Sequence, residues 1–419
     1  MSWAAVQRRS QEWWLPTWLN AWRVRASRRR RSVAIALGQT PQQLFIDLSV
    51  IFRHDAGTGI QRVVRSVATA LVTNPPTGWV VVPVAATRKR QYHPIPWPQT
   101  QTLLQISELT AGPGNVFLGL DFALDSVHRY RSQLSRLKNQ GLHLWFVMYD
   151  LLPTQRPEWF SDALVVRYRK WLHDISGLAD GFFCISPDVA SNLRSHLVCQ
   201  YGLAPTQMPT INVFPMGWEI RHAPHSEGIS PEFECQITKL AGQKNVLMVG
   251  TLEPRKGHAQ ALAAFDNLWL ANEAINLIIA GRAGWKTEAL QEMLRHHPMS
   301  GRRLFWFENA SDEEVERLYE TCSGVLVASH AEGFGLPIIE ALGHGKPVLV
   351  RDIPVFRTLF SSCITYFQDA VKTAELASIV LSWLSQARSC KENNLLLQSW
   401  DDSANHIAKL LQERCHTWV

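Results

Sequence analysis

The sequence predicts an α/β protein of two Rossmann-like domains whose parallel sheets face each other across a cleft. Three observations carry this expectation. Short runs rich in valine, isoleucine, leucine and phenylalanine alternate with stretches of helical period over most of the chain, the pattern of parallel strands covered by helices on both faces. The alternation stops once, in a polar stretch at 219–242, and then restarts. With 419 residues and 46% hydrophobic content, the chain has material for two cores of ordinary size.

Residues 1–42 read as a basic extension rich in tryptophan and arginine. Within 1–31, Arg8, Arg9, Arg23, Arg25 and the run Arg28–Arg31 stand against Glu12, eight positive charges less one, or about +7. The whole chain carries only +6. Trp14, Trp18 and Trp22 recur at i, i+4 spacing beside Leu15 and Leu19. That stripe suits a helix lying in the headgroup region of an anionic membrane; a disordered or domain-packed extension is the plainer reading.

The first domain, 43–218, opens with a strand at 43–48, a loop HDAGTG and a helix at 60–72 whose Ile60, Val63, Val64, Val67 and Leu71 form one apolar stripe. Further strands are expected at 79–86, 116–121, 142–150, 181–186 and 210–214, with helices at 124–138, 160–178 and 187–199 between them. Residues 87–113, rich in proline and polar groups, read as a connection near the sheet edge. After the linker at 219–242, the second domain, 243–385, repeats the scheme with strands at 245–250, 275–281, 304–309, 324–328 and 347–352. The tail at 386–419 is expected to bring helical chain back towards the first domain.

Composition narrows the function. No apolar run approaches the roughly 18 residues needed to cross a bilayer. An apolar stretch suited to a secretory or twin-arginine signal is absent behind Arg8 and Arg9. A cytoplasmic location, peripheral to the inner face of the membrane, is the resulting expectation. The seven cysteines form no C-x-x-C pair, against a disulfide framework or a zinc site. Basic charge concentrated in a tail, with the rest of the chain near neutral, speaks against nucleic acid as a partner.

Four places can carry chemistry. The stretch Ser329–His344, SHAEGFGLPIIEALGH, follows an apolar strand with a glycine turn that opens a helix. Free backbone N–H groups and the helix dipole favour a phosphate there. Glu332 and Glu340 bracket the turn, and carboxylates beside an anion site suit hydroxyl groups, such as those of a sugar and a ribose. At the end of strand 245–250, Arg255 and Lys256 precede Gly257 and can hold a diphosphate. In GRAGW, Gly281 and Gly284 permit close backbone approach, Arg282 can meet phosphate or base, and Trp285 can either cover the base or join the core. Gly57, Thr58 and Gly59 form a turn before a helix, suited to an anion or simply to a tight connection. Ligands of such sheets gather at the carboxyl ends of strands, where Asp55, Asp121, Asp150 and Ser186 also fall.

The strings GTLEPRKG, AGRAGW, DEEVERLYETC and SHAEGFGLPIIEALGHGKPVL resemble the C-terminal half of retaining glycosyltransferases of family 4, which have the two-domain GT-B fold. DLSVIFRHDAGTGIQRVVR and FVMYDLLPTQRPEWF resemble a bacterial subgroup, the mannosyl- and rhamnosyltransferases that build O-antigen and related polysaccharides from GDP-sugars. The likeness runs from Gln43 to WDDSANHI and rests above all on the paired glutamates of EGFGLPIIE.

This resemblance implies that Glu332 meets the donor sugar, Glu340 the ribose, and the amides near Phe334, Gly335 and Leu336 the distal phosphate. Arg255 and Lys256 would hold the diphosphate, with Gly57, Thr58 and Gly59 lining the cleft. It departs at MYD, where many relatives place a histidine at the position of Tyr149; Tyr149 or Asp150 would take that role, or neither. The resemblance further implies retention of configuration, no cofactor and no metal, a GDP-linked mannose or rhamnose donor, and a lipid-linked or polysaccharide acceptor. An inactive scaffold that only binds a partner, and a sugar-nucleotide epimerase, are the competing functions.

Overall fold

The computed structural model describes residues 41–98, 109–112, 114–220, 228–360, 364–386 and 397–415. The arginine and tryptophan stripe of residues 1–31, and with it the membrane reading, lies outside the described residues.

Strands β1 (Gln42–Asp47), β2 (Trp79–Ala85), β3 (His93–Pro94), β4 (Val116–Gly119), β5 (His143–Met148), β6 (Gly181–Cys184) and β7 (Thr210–Val213) form one sheet in the order β3-β2-β1-β4-β5-β6-β7. A second sheet contains β8 (Lys244–Val249), β9 (Ile275–Ala280), β10 (Leu304–Phe307), β11 (Gly324–Val327), β12 (Val348–Arg351) and β13 (Thr365–Phe367), in the order β10-β9-β8-β11-β12-β13. Every pairing is parallel except β2 with the short edge strand β3. Strands such as LFID in β1 and INLIIA in β9 are buried along their length, because helices cover both faces and leave no side for water.

Both sheets reverse direction of growth once, between β1 and β4 in the first and between β8 and β11 in the second. Loops leaving the two strands at such a point diverge and open a crevice at their carboxyl ends. The loop before α1 (Gly59–Thr73) follows β1, and TLEPRKG and ASHAEGF follow β8 and β11. The motif-bearing segments are thus placed by topology.

The polar stretch at 219–242 is only partly a connection. Within it, α2 (Pro231–Leu240) is capped by Ser230 and buries Phe233, Ile237 and Leu240. Phe233 meets Phe307 at 5.1 Å between ring centres. The Ser230 N–H and hydroxyl donate to Glu314 at 2.9 and 2.7 Å, so this helix is anchored on the second domain. The periodicity was obscured by Glu232, Glu234 and Lys239 on its outer side. After α3 (His258–Leu270), α4 (Asp312–Thr321) and α5 (Leu336–Gly343), the last helix, α6 (Trp400–Cys415), lies against α1 of the first domain. Trp400 donates from its indole to the Glu219 carbonyl at 2.7 Å, and Gln412 to the Thr77 carbonyl at 3.1 Å. No helix among the described residues is long and apolar enough to cross a membrane.

Candidate functional site

Glu332 stands in the loop after β11 and is caged by charge from the loop after β8. Its Oε2 accepts from Arg255 Nη1 at 2.6 Å, and Oε1 from Lys256 Nζ at 2.6 Å and Ser329 Oγ at 2.7 Å. Burial alone would raise this carboxyl, but Arg255 and then Lys256 pull it down to about 2. Arg255 also reaches the Ala331 carbonyl at 3.1 Å and pairs with Glu253 at 2.8 Å. Burial works against its charge, yet Glu332, Glu253 and Asp150 keep it above the usual guanidinium range. His258, 2% exposed, follows Gly257; burial and then Lys256 press it down to about 3, so it stays neutral.

Asp150, at the end of β5, faces this cage from the first domain. Burial raises its carboxyl, opposed by Arg255 and by the Leu152 N–H, which donates at 3.0 Å. The approach is close enough to require glycine at 333: a Cβ there would lie 2.2 Å from the Tyr149 carbonyl oxygen and 3.3 Å from the Asp150 Cβ. Tyr149 itself is 3% exposed and points away, donating to the Leu120 carbonyl at 2.7 Å. Of the two residues considered for the place of the family histidine, only Asp150 is near the charges.

Gly335 takes φ +110°, a conformation reserved for glycine, and opens α5 at Leu336, with Phe334 packed edge-on against Phe360 at 5.8 Å. Across the cleft, Gly57 adopts φ +65° and its N–H meets Asp55 at 3.0 Å. Thr58 caps α1 in a reciprocal box with Gln61. A Cβ on Gly59 would lie 3.6 Å from Leu336 Cδ1, so the two glycine turns face each other.

Glu340 is 3% exposed and tied on both oxygens. Arg62 Nη2 of α1 pairs with Oε1 at 2.7 Å, and the Tyr319 hydroxyl of α4 donates to Oε2 at 2.7 Å. Beside this pair, Arg65 bridges Asp55 at 2.7 Å and Asp312 at 3.0 Å, again joining the domains.

The GRAGW loop packs closely against its own domain and reaches the first domain. Glycine at 281 admits the chain itself, since a Cβ would lie 2.0 Å from the Gly250 carbonyl oxygen. Arg282 is exposed. Trp285 donates to the Trp159 carbonyl at 2.6 Å and packs against Phe160 at 5.9 Å, while Lys286 reaches the Glu158 carbonyl at 2.9 Å. The indole therefore clasps the first domain, packed partly buried on its small apolar cluster of Leu152, Phe160 and Val165.

The structure thus gathers Glu332, Arg255, Lys256 and Asp150 in one place, and Glu340 with the Gly57–Gly59 and Phe334–Leu336 turns beside it. Sequence reasoning missed Arg62, Arg65, Tyr319 and Asp312. Their signal was faint: two arginines one turn apart directly after a glycine turn, on a helix otherwise read for its apolar stripe.

Two parallel-sheet domains meeting at paired switch points define the GT-B class, and solved structures agree. Sucrose-phosphate synthase from Thermosynechococcus elongatus aligns with TM-score 0.63 at 16% identity, covering 90% of this chain and 100% of that one. Anabaena HepE, in complex with UDP and glucose, aligns with TM-score 0.55 at 16% identity, covering 90% and 99%. Residues 231–394 match the family described as Glycosyl transferases group 1 and form a domain of that family. The serotype-specific mannosyltransferase WbdA of Escherichia coli is 32% identical over 387 residues, 89% of this chain and 47% of that protein. The chain spans about half the length of the curated relatives it matches first.

Proposed function

We propose that this chain transfers a mannose, or a deoxymannose such as rhamnose, from a GDP-linked donor to a lipid-linked or polysaccharide acceptor, with retention and without a metal. The observation that carries the reading is the Arg255 and Lys256 pair, held 2.6 Å from Glu332 at the switch point of the second sheet. A diphosphate entering there finds two fixed cations and the amides of the Phe334–Leu336 turn, in a site whose charges are already oriented. Glu332 accepts hydroxyls of the sugar, Glu340 those of the ribose, and Gly57–Gly59 closes the other side.

In the reaction, the acceptor hydroxyl oxygen bonds to the anomeric carbon on the face from which the diphosphate departs. Its proton passes to the departing diphosphate oxygen. Arg255 and Lys256 stabilise the charge that collects on the leaving group, and Asp150 orients the sugar or the incoming hydroxyl. Rate then derives from positioning and electrostatics. The mannosyltransferase WbdA, alike over most of this chain, supports the choice of sugar.

A screen of GDP-mannose, GDP-linked 6-deoxymannose, UDP-glucose and UDP-N-acetylglucosamine for thermal stabilisation and slow donor hydrolysis tests the reading. The GDP-sugars are expected to respond; a response to UDP-sugars alone would overturn the donor, and none at all would favour a binding scaffold.

A further inference from the structure

Glu340 lies in the second domain, yet one of its two partners comes from the first. Arg62 stands in the opening turn of α1, a helix with no acidic residue in its first turn. A cation near a helix N-terminus is repelled by the dipole, and this one is largely buried as well, with 14% of its side chain exposed. Burial weakens its charged form, while Glu340 restores it, with lesser help from Tyr319 and Asp312. The arrangement is electrostatically satisfied only when the domains are together. Arg65, one turn on, also crosses to Asp312 of α4 while keeping Asp55 of its own domain, and Asp312 and Tyr319 lie two turns apart on that helix.

A carboxylate has about four lone-pair sites, and Arg62 and Tyr319 each occupy one of them. Two remain, with the carboxylate plane fixed by bonds on both oxygens.

We propose that Arg62 is a positioning residue for the donor: by gripping Glu340 from the opposite domain, it fixes the free lone pairs of that carboxylate for the two ribose hydroxyls, and so makes nucleotide recognition conditional on domain closure. The proposal rests on the reading of Glu340 as the ribose ligand. Arg62 touches no reacting atom in this scheme. Arg65 and Asp312 hold the same domains together through a separate ion pair.

The test is calorimetric titration of GDP and UDP, each against its 2′,3′-dideoxy form, into the full chain and its R62Q, R62K and D312N variants, with folding checked by circular dichroism. The unaltered chain is expected to prefer the ribonucleotide by about tenfold or more, the range for hydroxyl bonds to a charged acceptor. In R62Q that preference falls to about twofold or less by loss of ribonucleotide affinity, and R62K, which keeps the charge, recovers part of it. D312N weakens ribo and dideoxy forms alike and leaves their ratio unchanged. A preference that persists or grows in R62Q overturns the proposal while leaving Glu340 on the ribose. No preference in the unaltered chain removes the ribose from Glu340, and the proposal with it.

Discussion

Glu332 and Glu340 belong to one motif and are both largely shielded from solvent, Glu332 part-buried and Glu340 buried, yet their charges are balanced in opposite ways. Glu332 is neutralised within its own domain, by Arg255 and Lys256 from the neighbouring strand end. Glu340 is neutralised across the cleft, by Arg62 of the first domain. A buried carboxylate needs a partner in either case. The first arrangement keeps its charges in place whatever the domains do; the second exists only when they meet. One glutamate thus keeps its cations in any arrangement of the domains, and the other has its cation only when the cleft is shut.

The largest effect is expected from removing the cage. Arg255→Ala leaves Glu332, Glu253 and Asp150 without their shared cation, and breaking a buried pair of this kind costs about 3–5 kcal/mol. Transfer activity should fall at least about a hundredfold, as for loss of one charge-stabilising donor, and Lys256→Ala should match it in activity with a smaller loss of stability. Chemical denaturation and donor turnover measured together separate the two effects. If both variants retained full turnover, the cage would have no part in the chemistry.

Acid unfolding sharpens the same comparison. Glu332 is held at about 2 against an ordinary value of 4.5, so its contribution is fully present above pH 4.5 and is lost as pH falls towards 2. The difference corresponds to about 3 kcal/mol. E332Q should therefore show a flatter stability profile than the unaltered chain between pH 4.5 and 2, and parallel profiles would mean that the cage does not hold the charge.

On the other side, Tyr319→Phe removes one bond from Glu340 without touching the domain interface. About 1 kcal/mol of stability is expected to go, with several-fold weaker binding of GDP and little change in turnover at saturation. A fall in turnover with unchanged binding would place Tyr319 with the chemistry instead. The smallest effect is expected at the clasp: Trp285→Phe keeps the apolar packing on Phe160 but loses the bond to Trp159. It should weaken GDP binding by no more than about fivefold, measured by calorimetry, and a larger loss would show that the indole serves the base rather than the clasp.

The architecture was legible because parallel strands buried on both faces leave continuous apolar runs, and β1, β8, β9 and β11 fall within a residue or so of their expected places. Glu332, Arg255 and Lys256 were legible because all three sit on loops that the alternation itself locates at strand ends. The exceptions have separate physical causes. Helix α2 was hidden inside a polar stretch, since its charged outer face outweighs the three apolar residues it buries. Strand β13 is three residues long and too short to carry a pattern. Arg62 and Tyr319 meet Glu340 through the docking of two domains, and no spacing along the chain encodes a contact between residues 62 and 340. Gly281 and Trp285 stand out in the sequence, and both make close contacts with the chain itself; no pattern along the sequence separates a glycine or an indole needed by neighbouring backbone from one needed by a ligand.

The most direct measurement is calorimetric titration of GDP-mannose into the full chain and into its K256A and E340Q variants. Saturable binding is expected in the unaltered chain, weakened at least about tenfold in each variant, since each removes a charged partner of a different part of the donor. Unchanged affinity in both variants, or no binding of GDP-mannose or any UDP-sugar to the unaltered chain, would contradict a nucleotide-sugar site at the paired switch points.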